Sequence, residues 1–198
     1  PIWRLAYVGV EKLVVENGVT SVGSGAFRGR TGVTSVILPR SVREIGYRAF
    51  SGCSGLSDFV IPVSVTRIGF RAFEGCTSLS YIAVLPQNTH FKTYPGGFLC
   101  SMEASGGSSM PVEIVRVPYS YKGSFAVPEG VVTIGSESFE GCSGITDVLI
   151  PDCVRTVMYR AFLGCSSLSS VEVPSTATIG FQAFPDGVSV SPRPQTSA

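Results

Sequence analysis

The chain has 198 residues, with 15 basic and 14 acidic side chains and a formal net charge of +1. A chain of this length can bury a substantial core without disulfide staples, and a net charge near zero argues against nucleic acid or an anionic membrane as a partner drawn by charge. The longest apolar run, YIAVL at 81–85, is far shorter than the roughly 20 residues that cross a bilayer. The first residues, PIWRLAYVGV, contain no initiating methionine and no basic leader, so a signal peptide is either absent or already missing from this stretch.

One apolar pattern recurs along the chain at a nearly fixed period. An apolar anchor that usually precedes a glycine returns with spacings of 23, 23, 66, 23 and 22 residues, at Val22, Ile45, Ile68, Ile134, Val157 and Ile179. A phenylalanine follows each anchor by five residues, at Phe27, Phe50, Phe73, Phe139, Phe162 and Phe184. In the fifth copy Met158 replaces the glycine. A fixed period with a fixed apolar pattern is typical of a solenoid.

Each repeat predicts two short strands and one tight turn. SVREIG at 41–46 predicts the first strand, YRAFSGC at 47–53 predicts the turn, and LSDFVIP at 56–62 predicts a second strand that ends at a proline. SVTRIG at 64–69 and SSVEVP at 169–174 are further strands of the same kinds. We expect the turn to be a single helical or 3₁₀ turn with Phe50 facing inward and Gly52 closing it. Coils stacked about 4.8 Å apart would then place Phe50 on Phe73.

The pattern I-G-x-x-A-F-x-G-C-x-x-L-x-x-x-x-I-P, from Ile45 to Pro62, resembles the BspA-type leucine-rich repeats of surface and secreted proteins from bacteria and protists. Residues 13–86 and 129–184 match this pattern closely. The resemblance implies a curved, β-rich, right-handed solenoid with short strands and short helical or 3₁₀ turns. It also implies adhesion, host-factor binding or protein–protein contact, with no catalytic residue. We therefore expect no enzyme, no cofactor and no metal site.

The repeat becomes irregular between residues 87 and 128. Three apolar stretches in this region still predict strands: GFLC at 97–100, VEIVRVP at 112–118 and SFAVP at 124–128. The anchor gap of 66 residues equals three periods of 22, which indicates degenerate coils and therefore a single solenoid over residues 1–198. The alternative is a disordered linker between two small solenoids. Residues 185–198 are expected to form an irregular tail.

Four of the six cysteines share one repeat position: Cys53, Cys76, Cys142 and Cys165. No two cysteines are closer in sequence than the 11 residues between Cys142 and Cys153, whereas zinc sites usually contain local C-x₂₋₄-C pairs. The pattern therefore favours a ladder of small buried thiols. The single histidine, His90, lies in an irregular NTHF segment, and a thiol-dependent enzyme that uses it is a remote alternative.

The two positions after the repeated glycine vary from coil to coil. They are Ser24-Gly25 and Ser136-Glu137 in two coils, whereas in the other four they are Tyr47-Arg48, Phe70-Arg71, Tyr159-Arg160 and Phe181-Gln182. Arg43, Arg67 and Arg155 lie two to three residues before the glycine position and are expected to border the same side. Tyrosine and arginine are enriched in interface hot spots, but arginine packed on an aromatic ring also stabilises a ladder. The sequence leaves both interpretations open.

These observations favour a non-catalytic protein-interaction or adhesion module. A structural spacer that holds another domain at a distance is the main alternative. The expected partner is a protein of unknown identity, and uncapped terminal coils would also allow end-to-end contacts between chains. The resemblance favours the cell surface, whereas free thiols favour a reducing compartment, so the localisation stays open.

Overall fold

The computed structural model describes residues 12–105 and 108–193. The chain forms two compact units, with the boundary between Leu99 and Cys100. Each unit is a stack of short strands and turns, and no residue in the described ranges lies in a helix. A membrane-crossing helix is accordingly not found among them. That the two units form one continuous array stays a prediction.

Seventeen short strands make up the described coils. The first unit contains β1 (Lys12–Val14), β2 (Ser21–Val22), β3 (Ser35–Ile37), β4 (Glu44–Ile45), β5 (Asp58–Ile61), β6 (Arg67–Ile68), β7 (Tyr81–Val84) and β8 (Phe91–Thr93). From the unit boundary onward follow β9 (Leu99–Ser105), β10 (Ser108–Arg116), β11 (Lys122–Ala126), β12 (Thr133–Ile134), β13 (Gly144–Leu149), β14 (Thr156–Val157), β15 (Ser170–Pro174), β16 (Thr178–Ile179) and β17 (Ser189–Arg193). The short strands predicted at 41–46, 56–62, 64–69 and 169–174 are all present.

Parallel pairing in each unit follows the sequence period. In the first unit β2, β4 and β6 form one sheet, in which Ser21 pairs with Glu44 and Glu44 with Arg67. In the second unit β12 pairs with β14 and β14 with β16 in the same way, while β11, β13, β15 and β17 form a separate sheet. The pairing of residues one period apart confirms the predicted β-solenoid.

The core is a set of stacked equivalents, as the repeat predicts. The Phe50 ring stacks on Phe27 and Phe73, with centroids 5.4 and 5.9 Å apart, and Phe59 packs edge-on against Phe50 and Phe73 at 5.0 and 4.8 Å. In the second unit Phe162 stacks on Phe139 at 4.5 Å. Phe50 has no solvent-exposed surface, because Phe27 and Phe73 cover its two faces.

The expected helical or 3₁₀ turn is wrong, because the segment alternates between two kinds of hydrogen bond. The N–H groups of Arg48, Phe50 and Gly52 donate to carbonyls of the next coil, whereas those of Ala49 and Ser51 donate three residues back along the chain. Arg48 and Gly52 have positive φ angles of 51° and 75°. A right-handed helix has a negative φ at every residue and keeps its hydrogen bonds within the segment. The positive φ angles and the bonds to the next coil therefore exclude it.

Strands also occupy the segments where the repeat is weakest. The predicted stretches at 97–100, 112–118 and 124–128 overlap β9, β10 and β11. Strand β17, with residues 189–193, lies where an irregular tail was expected, and it pairs with β15 because Ser189 continues the parallel register from Ser170. Of that tail, residues 194–198 lie outside the described residues.

The close stacking of the coils leaves no room for a side chain at Gly46 and Gly69, the glycines after the anchors of two coils in the first unit. A Cβ built on Gly69 would lie 2.5 Å from the Tyr47 backbone nitrogen, and one on Gly46 would lie 2.7 Å from that of Ser24. Neither glycine has a positive φ angle, so the constraint is the space between adjacent backbones.

We expect Phe50→Ala to lower the free energy of unfolding by about 3–5 kcal/mol, since the truncated ring leaves a cavity between two rungs. The matched control is Phe181→Ala, because the Phe181 side chain is 73% exposed and its loss opens no cavity. Chemical denaturation measures both variants. A cost below about 1 kcal/mol for Phe50→Ala would contradict the stacked core.

Gly69→Ala is expected to destabilise the first unit by at least about 2 kcal/mol, because the methyl group has to displace a backbone segment and not a flexible side chain. Gly23→Ala is the control, since a Cβ on Gly23 meets no atom within 4 Å. Urea unfolding midpoints compare the two variants. Equal midpoints would mean that the coils tolerate a side chain at this position.

Candidate functional site

The variable position after the glycine carries exposed aromatic rings in both units. We call Tyr47, Arg48, Phe70 and Arg71 the first patch. The Tyr47 and Phe70 rings stack with centroids 6.2 Å apart and planes inclined by 21°, and the two residues are 43% and 42% exposed. The backbone ladder therefore fixes two neighbouring aromatic rings at the surface of adjacent coils.

The arginines of the first patch are held against these rings. The Arg48 guanidinium carbon lies 5.3 Å from the Tyr47 ring centroid, and that of Arg71 lies 5.0 Å from the Phe70 centroid. Glu74 approaches both arginines, with its carboxylate oxygens 3.0 Å from Arg48 Nε and 3.9 Å from Arg71 Nε. The two arginine side chains are only 23% and 14% exposed. The rings are therefore the more exposed part of the patch.

The second patch consists of Tyr159, Arg160 and Phe181. Its rings stack at 6.3 Å, and the Arg160 guanidinium lies 4.9 Å from the Tyr159 centroid. Arg160 Nε donates to Gln182 Oε1 at 2.9 Å. Phe181 belongs to the coil that contains β16, which is the edge strand of its sheet, so this ring is the more exposed of the two.

The second residue after the repeated glycine position occupies a conformation that favours glycine. The five non-glycine residues at this repeat position have φ angles between 51° and 59°: Arg48, Arg71, Glu137, Arg160 and Gln182. Gly25 takes the equivalent position in the first coil with a φ of 62°. A left-handed conformation costs an ordinary residue roughly 1–2 kcal/mol, so side-chain contacts or a function must offset the cost at Arg48 and Arg71.

The flanking arginines are the more accessible cations. Arg43 and Arg67 are exposed on adjacent coils, where the Arg43 carbonyl accepts hydrogen bonds from the N–H groups of Thr66 and Arg67. Arg155 occupies the position of Arg43 in the second unit, and its Nη1 donates to the Asp152 carbonyl at 2.6 Å. The first unit therefore presents two exposed cations in the same coils as its two exposed rings.

Five polar residues are buried in the described ranges, and the sequence did not predict this for two of them that bind backbone carbonyls, Arg116 and Asn88. Arg116 is only 4% exposed and donates to the carbonyls of Glu137 and Glu140 at 2.8 and 3.0 Å. Asn88 Nδ2 donates to the carbonyls of Pro62 and Val65 at 2.8 and 2.9 Å. Both residues lie in the degenerate region 87–128, where no repeat position marks them. They satisfy backbone carbonyls of a neighbouring coil and thus stabilise the stack.

The phased cysteines are buried donors to the backbone. Cys53, Cys76 and Cys165 each donate from Sγ to the carbonyl of the phenylalanine one coil earlier, at 3.1, 3.2 and 3.2 Å. Cys142 donates to the Val117 and Pro118 carbonyls at 3.6 and 3.4 Å. Each of the six cysteines, all within the described ranges, is a free thiol.

Burial makes these thiols poor nucleophiles. Desolvation raises the pKa of Cys142 to about 11 and those of Cys165 and Cys100 to about 12. The same cause raises the pKa of Cys53. Because the thiolate is the reactive form, a raised pKa lowers reactivity at neutral pH.

His90 is exposed, and its Nδ1 lies 3.2 Å from the Thr89 hydroxyl. The hydrogen bond that each phased thiol donates goes to a backbone carbonyl, so none of these four thiols uses an imidazole as its acceptor.

Comparisons with solved structures agree with this geometry. A leucine-rich cell surface protein from Faecalibacterium prausnitzii A2-165 is 24% identical with a TM-score of 0.65, and the match covers 91% of this chain and 60% of that one. The pneumococcal vaccine antigen PcpA is 18% identical with a TM-score of 0.74, covering 91% and 51%. A leucine-rich repeat protein of T. pallidum is 25% identical with a TM-score of 0.54, covering 90% and 80%. A comparison with curated proteins finds no match.

The stacked coils and the surface they present define a leucine-rich-repeat solenoid. The model of the BspA-type leucine-rich repeat region matches residues 5–96 and 120–191 in six copies. The chain belongs to this family, as the resemblance predicted. It spans 60% and 51% of the lengths of the first two solved structures above.

In the folded protein we expect Cys53, Cys142 and Cys165 to react slowly with a thiol reagent and to react quickly only after unfolding, because each thiol is buried and hydrogen-bonded. Cys153 is the internal control, since it is only partly buried. Time-resolved labelling followed by peptide mass spectrometry gives a rate for each site. Labelling of Cys165 as fast as Cys153, or a disulfide between phased cysteines, would contradict the buried ladder.

Proposed function

We propose that this chain is a non-catalytic protein-interaction or adhesion module and that the first patch is its main contact surface. The observation that carries the proposal is the exposed, stacked pair of Tyr47 and Phe70. Aromatic residues are enriched at protein–protein interfaces and carry large shares of their binding energy. A rigid β-ladder also lowers the conformational entropy lost on binding.

The chain itself indicates that the rings are not needed for folding. Ser24 and Ser136 stand at the same repeat position as Tyr47 and Phe70, in coils with the same backbone hydrogen bonds. Gly25 stands at the position of Arg48 and has the same positive φ without a side chain. Serine and glycine therefore meet the demands of the coil, and the aromatic and arginine side chains are additions to it.

The second patch is proposed as an accessory surface. Its Phe181 is more exposed than either ring of the first patch. Only one arginine supports its two rings, since Gln182 replaces the second one. The first patch is the stronger candidate because it has two complete aromatic–arginine pairs, and the exposed Arg43 and Arg67 lie in the same two coils.

Further support comes from a structural neighbour and from the thiols. The Faecalibacterium neighbour is described as a cell surface protein, and a location at the cell surface is our proposal for this chain too. A non-catalytic role agrees with the raised pKa values of Cys142 and Cys165. These thiols are directed at backbone carbonyls inside the stack and do not face solvent.

The test replaces the two rings of the first patch with serine, the residue that stands at this repeat position as Ser24. We expect Tyr47→Ser with Phe70→Ser to weaken adhesion to the partner surface by at least about 2 kcal/mol, because the substitution removes both exposed hot-spot residues. The unfolding midpoint should stay nearly unchanged, since serine is native at this repeat position. Retention of labelled protein on source cells and on host cells measures adhesion, and chemical denaturation measures stability.

Arg48→Gly with Arg71→Gly tests whether the two arginines contact the partner or only hold the rings in place. Glycine relieves the positive-φ strain at both positions while removing the contacts to the rings and to Glu74. Reduced adhesion with an unchanged midpoint would place the arginines in the contact surface. Tyr159→Ser tests the accessory second patch in the same assay. If all three variants adhere like the native chain, the patches are not the contact surface and the spacer function is favoured.

A further inference from the structure

The two units carry opposite exposed charge, although the whole chain is nearly neutral. Among the described residues of the first unit, seven basic side chains are exposed against two acidic ones, Glu16 and Asp58. The seven are Lys12, Arg28, Arg30, Arg40, Arg43, Arg67 and Lys92. None of the seven forms an ion pair with a described residue. The exposed surface of the first unit is therefore strongly basic.

The second unit shows the reverse balance. Two basic side chains are exposed among its described residues, Lys122 and Arg155, against six acidic ones. The six are Glu103, Glu129, Asp147, Asp152, Glu172 and Asp186. Within this set Asp152 is bound by Arg193, with 2.7 Å between Nη2 and Oδ1. The other five leave the exposed surface of the second unit acidic.

An exposed leucine lies among these acids on one sheet face. Leu149 on β13 is 62% exposed, and its partner in the parallel register is Glu172 on β15. Asp147 lies two residues before Leu149 on the same strand and is also exposed. Residues two positions apart in a strand point to the same face of the sheet. We call Asp147, Leu149 and Glu172 the acidic face.

The first patch has the complementary composition. Its exposed Tyr47 and Phe70 rings lie in the same two coils as Arg43 and Arg67, which provide the exposed positive charge. Exposed apolar and charged side chains thus occur together in both places, with basic charge in the coils of the first patch and acidic charge on the acidic face. Complementary charge around an apolar contact favours association and determines which surfaces meet.

We propose that the first patch of one copy, together with the exposed Arg43 and Arg67 of the same two coils, binds the acidic face of a second copy of this chain. The inference rests on the proposed function of the first patch and names one partner for it. Such a contact joins two different surfaces, so copies can close into a ring or continue head to tail. Its main attraction is between exposed charges, and it therefore weakens when salt shortens their range.

The test measures self-association of the whole chain by sedimentation velocity. We expect mass above the monomer at about 0.1 M salt and monomer at about 1 M salt, where the Debye length falls from about 10 Å to about 3 Å. Arg43→Glu with Arg67→Glu should raise the self-association constant Kd at least about tenfold, and Asp147→Lys with Glu172→Lys should do the same.

Mixing the two charge-reversed variants distinguishes a specific contact from a general effect of net charge. The reversed patch of one variant and the reversed face of the other are again complementary, so the mixture should regain association that neither variant shows alone. Arg155→Glu is the matched control, because Arg155 holds the repeat position of Arg43 outside the proposed contact. Circular dichroism and unfolding midpoints establish that each variant is folded.

A chain that is monomeric at low salt overturns the inference. Association that survives both reversals, or a mixture that stays monomeric, also overturns it. Retention on an anionic polysaccharide resin by a monomeric chain would assign the basic surface to a polyanion instead. If the chain is monomeric but Tyr47→Ser with Phe70→Ser loses adhesion, this inference fails and the proposed function stands. If copies associate as expected while that variant adheres normally to cells, the proposed function fails alone.

Discussion

The structure depends on one hydrogen-bond pattern, in which alternate N–H groups of each turn donate to the next coil. Arg48, Phe50 and Gly52 make these bonds to the coil that contains Phe73. Positive φ occurs at the first and last of the three positions, and a Cβ on Gly46 or Gly69 would meet the adjacent backbone, whereas Met158 takes the glycine position in the fifth copy. The phenylalanine carbonyl of each turn is then available to the thiol of the following coil, which explains a cysteine at that position.

The same pattern separates what a coil must contain from what it can vary. Anchor, glycine, phenylalanine and cysteine face other coils, and each has a stacking role. The side chains that follow the glycine face solvent, and serine there serves as well as tyrosine for the backbone. Variation at this position changes the surface while the stack stays the same. Leucine-rich-repeat solenoids can therefore carry different binding surfaces on one scaffold.

The period made most of the fold predictable, because apolar residues that recur every 23 positions can be buried only by stacking. It predicted the short strands, the phenylalanine ladder and the buried cysteines. The conformation of the turn could not be predicted, since arginine at position 48 gives no sign of a positive φ until glycine at 25 is seen as its equivalent. Arg116 and Asn88 lie where the repeat is lost, so their burial had no sequence signal. The surface charge was hidden by the net value of +1, which sums two units of opposite sign.

The constant register of the first unit has a consequence for how such chains change in evolution. Ser21 pairs with Glu44, and Glu44 pairs with Arg67. Each coil therefore presents the same backbone hydrogen-bonding groups to the coil on either side of it. Unequal recombination that removes or duplicates one whole period joins two coils whose backbones already match. The length of the solenoid can therefore change in steps of one coil without a new core, and the spacing between surface residues changes with it.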